Sequence, residues 1–256
     1  MKILVTGTGY IARSFTAFAK NTEMISLRGG SWHSKSFAGY DAVLHTAGYV
    51  HVRETRRNQY EYYLVNRDLT VDVAKKAKND GVKHFVFLSS INVYGLTTGV
   101  ITENTPAVPT TNYGRSKLAA ETLISPLADD NFKIAILRPP MVYGPNSPGN
   151  YNRLCRLVKM LPLFPDYPNA RSLVHIDNLC AFIYDVIEKK RGGLFFPRDP
   201  FPTKTSKLAA DIALAQNKNL RLTPVFNRLI SLLMNFVFIS KLFGSLTVEV
   251  EDSVYN

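Results

Sequence analysis

A glycine-containing turn close to the amino terminus places the strongest constraint on the fold. Residues 3–5 are a short apolar run, GTGYIA follows at 7–12, and apolar positions 11, 15 and 18 recur at helical spacing. In such a strand–turn–helix, Gly7 permits the tight turn, Gly9 lets the backbone approach a pyrophosphate, and Ala12 lets helix and strand pack closely. The start of the helix, at Tyr10 and Ile11, then offers N–H groups and a partial positive charge. The turn therefore predicts a dinucleotide-binding site.

Strand-like and helix-like segments alternate through the first 140 residues. Apolar runs at 24–27, 41–45, 84–88 and 133–137 predict strands, and apolar residues at helical spacing predict helices over about 69–77 and 113–124. Such alternation is typical of βαβ units, so we predict an α/β fold with a doubly wound parallel Rossmann sheet. Residues 29–40 are too few for a further helix and strand, so we expect the sheet to be one edge strand short.

Beyond residue 140 the alternation loosens. We predict a dinucleotide-binding Rossmann domain over 1–140 and a small C-terminal α/β substrate lobe over 141–256, with some of its elements returning to the sheet. The most apolar stretch, 229–242, has only 14 residues and contains Asn235 and Lys241, so we expect no integral membrane segment. It predicts a buried helix of the lobe, with an interfacial membrane helix as the alternative.

Charge and composition narrow the partners and the compartment. The net charge of +11 indicates an anionic ligand, but the cations are scattered and are not interleaved with aromatic residues, so we expect no nucleic-acid partner. Five histidines show no metal-ligand spacing, so we expect no metal. The chain has two cysteines, and Met1 leads directly into the first strand without a signal peptide. Both features favour the reducing cytoplasm.

The segment after the second predicted strand bears on the identity of the dinucleotide. An NAD site normally has Asp or Glu there to hold the ribose 2′-hydroxyl, whereas this chain has LRGG at 27–30. Arg28 can bind a 2′-phosphate, so the sequence favours NADP(H) and leaves NAD(H) open. The alternative is that Arg28 is an ordinary surface arginine.

Tyr113 and Lys117 form a pair at i and i+4, on one face of a predicted helix. A phenol ionises near pH 10, and a nearby ammonium lowers that pKa. Beside a nicotinamide, such a pair makes an acid–base for oxidising an alcohol or reducing a ketone. A serine at the end of the preceding strand can orient the reacting oxygen by a hydrogen bond.

Together these motifs resemble the extended short-chain dehydrogenase/reductase family of nucleotide-sugar epimerases, dehydratases and reductases. The resemblance covers residues 1 to about 190, and its landmarks come in the family's order. They are TGTGYIA at 6–12, HTAGYVH at 45–51, VN at 65–66, SSINVYG at 89–95, PTTNYGRSK at 109–117, LRPPMVYGP at 137–145 and RSLVHIDN at 171–178.

The resemblance implies roles for the residues that match family positions. Tyr113 would be the proton donor or acceptor, Lys117 its electrostatic partner and a ribose ligand, and Ser90 the third member of the catalytic set. The remaining matches divide into cofactor-binding positions (Ala47, Gly48 and Asn66) and substrate-binding positions (Met141, Asn150 and Arg171), with Arg171 on the nucleotide diphosphate. Arg153, three residues after Asn150, is a further substrate-binding candidate. The family also implies a UDP-sugar substrate and a homodimer.

Departures from the family pattern narrow the reaction. Ile91 and Asn92 stand where 4,6-dehydratases carry an Asp-Glu pair, which disfavours dehydration. Met141 replaces an asparagine common in 4-epimerases. The chain stops at Asn256 without the family's closing Leu-Gly-Trp segment, so the lobe is expected to be either incomplete or natively short.

These departures favour one reaction and leave two alternatives open. The best interpretation is a reductase of a UDP-4-keto-6-deoxy-N-acetylhexosamine, resembling the capsule and O-antigen branch of the family. A UDP-glucose or UDP-N-acetylglucosamine 4-epimerase with tightly held NAD is the first alternative. A non-catalytic dinucleotide-binding protein is the second.

Overall fold

The computed structural model describes residues 1–250, leaving aside the side chains of residues 237 and 238. Its strands are β1 (Ile3–Thr6), β2 (Thr22–Ile25), β3 (Ala42–His45), β4 (His84–Leu88), β5 (Gly99–Ile101), β6 (Lys133–Leu137), β7 (Met141–Tyr143), β8 (Leu163–Pro165), β9 (Leu173–His175), β10 (Gly193–Phe195), β11 (Arg221–Thr223) and β12 (Leu246–Val248). Its α-helices are α1 (Tyr10–Phe18), α2 (Gln59–Tyr63), α3 (Leu69–Asn79), α4 (Asn112–Ile124), α5 (Asn150–Met160), α6 (Ile176–Glu188), α7 (Thr205–Ala215), α8 (Asn227–Leu232) and α9 (Val237–Phe243).

The described chain divides into two compact units. The first comprises Met1–Gly95, Pro106–Pro140 and Ile176–Pro197. The second comprises Leu96–Thr105, Met141–His175 and the described residues from Arg198 onward. Leu96–Thr105 lies in the second unit because β5 pairs with β12, a contact between two three-residue strands for which the sequence has no visible pattern.

The first unit is built on a parallel sheet of six strands in the order β10-β6-β4-β3-β1-β2. The predicted α/β Rossmann fold is therefore confirmed. The sheet ends at β2, and within the described chain only a 3₁₀ turn, Ser31–His33, lies between β2 and β3. β2 itself begins two residues earlier than predicted, because this half-buried edge strand includes polar Thr22 and Glu23.

Burial on both faces explains why the central strands are continuous apolar runs. Every residue of β1, β3 and β4 is buried. The apolar faces of α3 and α4 pack onto the sheet through residues such as Val73, Ala77, Ala120 and Ile124. α1 and α6 pack against each other within the same unit. This packing fixes the carboxyl ends of β1, β3 and β4, where loops carry the predicted site residues.

The second unit combines short parallel strand pairs with helices. β7 pairs with β9, β8 with β11, and β5 with β12. Its core includes Leu154 and Val158 of α5, Phe164 of β8, and Leu208 and Ile212 of α7. This arrangement makes the second unit a small α/β unit with its own apolar core.

The prediction of one buried helix over 229–242 is wrong. The structure has two short helices there, α8 and α9, separated by a turn at 233–236. Ile230 and Phe243 reach the core of the unit, whereas Leu229, Leu232 and Phe236 are exposed. A small unit can bury only one face of such a helix, so an all-round apolar segment leaves the other face in solvent. Across residues 1–250, no helix is both long and apolar enough to cross a bilayer.

Candidate active site

The glycine turn connects β1 to α1 and is shaped for an anion. Gly7 has φ +116°, and a Cβ there would lie 2.8 Å from the Ala47 nitrogen and 2.9 Å from Thr46 Oγ1, so other residues would clash. Gly9 is the N-cap of α1, and a Cβ there would meet nothing within 4 Å. The N–H groups of the first helical turn have no carbonyl partners within the helix, and that turn carries no acidic residue. A dinucleotide pyrophosphate fits this open, electropositive turn.

The residues after β2 offer a cation but no carboxylate. Arg28 is exposed three residues beyond the end of β2, and residues 26–30 contain no acid. The acid of β2, Glu23, is held by Lys35 and the Tyr40 hydroxyl. This arrangement suits a ribose 2′-phosphate better than a ribose 2′-hydroxyl.

Asn66 fixes the loop that follows β3. It is fully buried in a π-helical turn, Leu64–Asp68, between α2 and α3. Its Oδ1 accepts from the Tyr49 nitrogen at 2.7 Å, and its Nδ2 donates to the Tyr49 carbonyl and to Ser116 Oγ at 3.2 and 3.0 Å. A Cβ on Gly48 would lie 3.3 Å from Asn66 Oδ1 and 3.6 Å from Lys117 Nζ. Asn66 therefore ties the Ala47–Gly48 loop to α4.

Ser90 and Tyr113 meet at the carboxyl end of β4. Ser90 caps a 3₁₀ turn, Ile91–Tyr94, and its Oγ accepts from the Asn92 backbone nitrogen at 3.2 Å and from Asn92 Nδ2 at 3.0 Å. The Ser90 side chain also lies close enough to the Tyr113 phenol to act on its pKa by hydrogen bonding. Burial raises the pKa of Tyr113 to about 12, and the Ser90 hydrogen bond opposes that rise. The phenol is thus protonated throughout the neutral range.

Lys117 lies one helical turn beyond Tyr113 and is only 3% exposed. Its Nζ donates to the Leu88 carbonyl at 2.8 Å and sits 4.6 Å from the centroid of the Phe87 ring. Burial lowers the pKa of Lys117 to about 7, and the negative charge of Glu121 opposes that fall. Burial and the Ser90 hydrogen bond are the causes of the shifted pKa of Tyr113, and the electrostatic role expected of Lys117 stays a prediction. The Lys117 ammonium donates to the Leu88 carbonyl, and burial is the main cause of the raised pKa of Tyr113.

The buried lysine makes stability depend on pH in a specific window. Its pKa is about 7 in the folded chain against 10.5 for the free group, so between these values the unfolded chain binds more protons. Folding stability should therefore rise with pH, on the order of 3 kcal/mol from pH 7 to 10. Urea unfolding of the wild type and of Lys117→Met across this range measures the difference.

The control for this experiment is Lys75→Met, which removes an exposed lysine of α3. Its pH dependence should follow that of the wild type, whereas the Lys117→Met curve should be flatter. Parallel curves for all three proteins would show that Lys117 keeps an ordinary pKa.

A buried ionic network that the sequence analysis missed supports α4, the helix that carries Tyr113 and Lys117. Glu121, on α4, accepts from Arg138 Nε at 3.1 Å and from Arg138 Nη2 at 2.5 Å, and it also accepts from the Ser89 hydroxyl. Arg138 Nη1 donates to the Tyr94 hydroxyl at 2.7 Å. Glu121 and Arg138 are 4% and 8% exposed. The network therefore joins α4 to the residues on either side of Ser90.

Two further residues missed from sequence hold the start of α4. The Glu54 carboxylate accepts from the backbone nitrogens of Asn112 and Tyr113, both at 3.2 Å. Such a carboxylate also complements the positive end of the helix dipole. A Cβ on Gly114 would lie 2.5 Å from the Asn92 carbonyl oxygen, so glycine here permits α4 to approach the Ser90 turn. The position of Gly114, directly after Tyr113, could have indicated a close approach of α4 to another segment. No local pattern indicates that Glu54 binds the start of α4.

Four of the predicted substrate-binding residues lie in the second unit, namely Met141, Asn150, Arg153 and Arg171. Met141, Asn150 and Arg171 line one cavity of about 30 Å³, together with Lys241, which the sequence analysis did not select. The Arg171 Nη1 donates to the Gly244 carbonyl at 2.6 Å, and burial lowers the pKa of Arg171. Arg153 is exposed on α5 and is not among the lining residues. The structure thus brings three of these four candidates together.

Comparison with curated proteins identifies sugar 4-epimerases among the relatives. UDP-glucose 4-epimerase of Vibrio cholerae is 37% identical over 188 residues, which are 69% of this chain and 57% of that protein. N-acetyl-alpha-D-glucosaminyl-diphospho-ditrans,octacis-undecaprenol 4-epimerase of Escherichia coli O157:H7 is 28% identical over 193 residues, 73% of this chain and 58% of that protein. The chain therefore spans a little over half the length of these relatives.

Solved structures share the fold. A dTDP-4-dehydrorhamnose reductase from Clostridium acetobutylicum superposes with a TM-score of 0.72 at 21% identity, covering 87% of this chain and 83% of its own. A UDP-glucuronic acid 4-epimerase from Bacillus cereus in complex with NAD superposes with a TM-score of 0.71 at 17% identity. The superposition covers 99% of this chain and 88% of the epimerase chain. At these identities the likeness concerns the fold.

The family model for NAD dependent epimerase/dehydratase proteins matches residues 3–195. The match includes the glycine turn, Ser90, Tyr113 and Lys117 in their family order, and it confirms the resemblance found in the sequence. Among the described residues no group of three or more His, Cys, Asp or Glu side chains could hold a metal ion. The chain belongs to the NAD dependent epimerase/dehydratase family.

Proposed function

We propose that this protein is an NAD(P)-dependent reductase that delivers hydride to C4 of a UDP-4-keto-6-deoxy-N-acetylhexosamine, a step in making capsule or O-antigen precursors. The observation that carries the proposal is that Tyr113 lies beside Ser90 at the end of β4, with buried Lys117 on the same helix as Tyr113. These three groups can bind a carbonyl oxygen, protonate it and stabilise the phenolate that results.

The bound dinucleotide would supply the hydride, and the protein handles the proton. Tyr113 donates its phenolic proton to the sugar oxygen, to which Ser90 donates a hydrogen bond. The charge of the Lys117 ammonium favours the resulting phenolate. Because the pKa of Tyr113 is about 12, the phenol carries its proton at neutral pH, as the reductive direction requires, and a nearby cation is needed to favour its loss.

The residues beside Ser90 also support simple hydride transfer. Asn92 donates both its backbone N–H and its side-chain amide to Ser90 Oγ, so it orients the serine and has no carboxyl proton to exchange. Ile91 likewise has no acid–base chemistry. Water elimination, which needs such a proton, has no candidate group at these two positions.

A 4-epimerase is the second candidate. It is supported by the Vibrio cholerae UDP-glucose 4-epimerase, to which this chain is 37% identical over 188 residues. An epimerase would hold its NAD through the cycle and return the hydride to the opposite face of C4. The same Ser90, Tyr113 and Lys117 would serve that reaction, with Tyr113 acting alternately as base and acid.

The cavity of the second unit supports a nucleotide diphosphate as the substrate's handle. Arg171 and Lys241 place two cationic side chains among lining residues that are otherwise neutral. A diphosphate at the mouth of the cavity would contact both cations, because a volume of about 30 Å³ holds only roughly one or two water molecules. Asn150, at the start of α5, and Met141 line the same cavity and are proposed to contact the rest of the substrate.

For the cofactor we propose NADP(H), with Arg28 as the discriminating residue. Arg28→Ala should weaken NADPH binding about tenfold, because one charge-assisted phosphate contact contributes roughly 1.5 kcal/mol. NADH binding should be unchanged. Tryptophan fluorescence titration with both dinucleotides checks this, with Arg13→Ala as a second exposed arginine near the turn. Equal losses for NADPH and NADH would contradict the assignment.

The decisive assay follows NADPH absorbance with UDP-4-keto-6-deoxy-N-acetylglucosamine, in parallel with epimerisation of UDP-glucose and UDP-N-acetylglucosamine. Stoichiometric NADPH oxidation would establish the reductase. Interconversion of epimers without added cofactor would establish the 4-epimerase instead. Cofactor binding without turnover of any of these sugars would overturn both enzymatic proposals in favour of a non-catalytic binding protein.

A further inference from the structure

A stripe of large apolar side chains on the second unit points into solvent. Val225, Leu229, Leu232 and Phe236 are 79%, 54%, 78% and 64% exposed. Leu229 and Leu232 lie three residues apart on α8 and therefore share one of its faces, whereas Val225 and Phe236 lie in the turns before and after the helix. We call these four residues the apolar stripe. Because all four fall within residues 225–236, the exposure is more than the scatter of single apolar residues that any surface shows.

The opposite face of the same segment is firmly attached to the unit. Ile230 is 5% exposed and belongs to the core, against which Met234 also packs. Asn227 Nδ2 donates to the Asp166 carbonyl at 2.9 Å, which holds the start of α8. The segment that carries the stripe is therefore attached to the core of the second unit through Ile230 and Met234, while the side chains of the stripe face solvent.

The charged residues of the chain segment that carries the stripe are all of one sign. The sequence contains no acidic residue between Asp211 and Glu249, whereas this interval contains Lys218, Arg221, Arg228 and Lys241. Arg221 and Arg228 are exposed, and Arg228 lies within α8 itself. Lys218 is used internally, because its Nζ donates to the carbonyls of α5's last turn and of Leu161.

An exposed apolar stripe flanked by cations matches the chemistry of a helix lying in the plane of an anionic bilayer. Apolar side chains enter the acyl boundary, while each nearby Lys or Arg gains roughly 1 kcal/mol from anionic headgroups. A second copy of this chain fits less well. Pairing two copies across this face would bring Arg221 and Arg228 of each against the other, on proteins that each carry +11.

We infer that residues 224–236 dock the protein onto an anionic membrane surface, with the apolar stripe inserted and Arg221 and Arg228 at the headgroups. The surface lies on the second unit and uses none of the residues proposed for hydride transfer. The inference therefore stands or falls independently of the proposed function.

Vesicle co-sedimentation of the full chain tests the inference. The probes are vesicles of phosphatidylcholine alone and vesicles containing about 30% phosphatidylglycerol. We expect binding to the anionic vesicles only, weakened about tenfold or more by raising the salt from 0.1 to about 0.5 M. The double variants L229S/L232S and R221E/R228E should each lose binding by a similar factor.

Matched controls separate the stripe from general stickiness and charge. L214S/M160S removes two side chains that are each 78% exposed elsewhere in the second unit. K20E/K75E reverses two exposed lysines of the first unit. Both controls should bind anionic vesicles as the wild type does, and thermal unfolding checks that every variant is folded.

Three results would overturn the inference. The first is no difference between anionic and neutral vesicles for the wild type. The second is equal loss in the stripe variants and in their controls. The third is a wild-type dimer by light scattering that L229S/L232S converts to a monomer without any vesicle binding, which would show that a second copy covers the stripe.

Discussion

Tyr113→Phe is expected to lower the rate of hydride transfer about 10³-fold, within the range that positioned general acids contribute. The substitution removes only the phenolic oxygen, which accepts the Ser90 hydrogen bond and carries the proton proposed to reach the sugar oxygen. The helix itself should persist, because the backbone nitrogen of residue 113 still donates to Glu54. Single-turnover oxidation of bound NADPH measures the step directly.

The matched control for this prediction is Tyr60→Phe, which removes the same oxygen from a side chain that is 64% exposed on α2. Its rate should equal that of the wild type, and both variants should bind NADPH with unchanged affinity. Turnover by Tyr113→Phe within about threefold of the wild type would remove Tyr113 from the acid–base role. Ser90→Ala combined with Tyr113→Phe should cost little more than Tyr113→Phe alone, because residues that act as a unit are not additive.

The parts of the site that could be predicted from sequence are those where local pattern and local geometry coincide. Strands β4 and β6 have the predicted bounds, because burial makes every residue after the first of each strand apolar. Tyr113 and Lys117 are recognisable because an i, i+4 pair on a helix needs no tertiary information. The glycine turn is recognisable for the same reason, because the local backbone conformation requires Gly7 and the close approach of a pyrophosphate requires Gly9.

What sequence could not provide depends on contacts between distant residues. Glu54 caps α4 from 58 residues away, and Glu121 meets Arg138 across 17 residues. The raised pKa of Tyr113 is due mainly to burial, and the i, i+4 pattern of Tyr113 and Lys117 gives no information about burial. The prediction of one buried helix over 229–242 was wrong because it used composition alone. The composition of this segment indicates burial, yet composition does not say how many of its faces the unit can cover.

Glu121→Gln is expected to destabilise the fold by about 3–5 kcal/mol, the cost of breaking a buried ion pair from one side. The amide keeps the volume of the carboxylate but leaves the Arg138 guanidinium without its counter-charge in a site that is 4–8% exposed. Urea unfolding at pH 7 should show a lower midpoint with little change in slope. Glu61→Gln, at an exposed position of α2, should leave the midpoint unchanged.

The same substitution should also change catalysis, because the negative charge of Glu121 opposes the fall in the pKa of Lys117. Without that charge the ammonium should deprotonate at lower pH, so the alkaline limit of the pH–rate profile should move down. The double variant Glu121→Met/Arg138→Met should recover much of the lost stability, since replacing both partners leaves no unpaired charge. It should not restore the pH profile. If the double variant recovers both, Glu121 acts only by holding α4 in place; if Glu121→Gln leaves the profile unchanged, the charge of Glu121 does not reach Lys117.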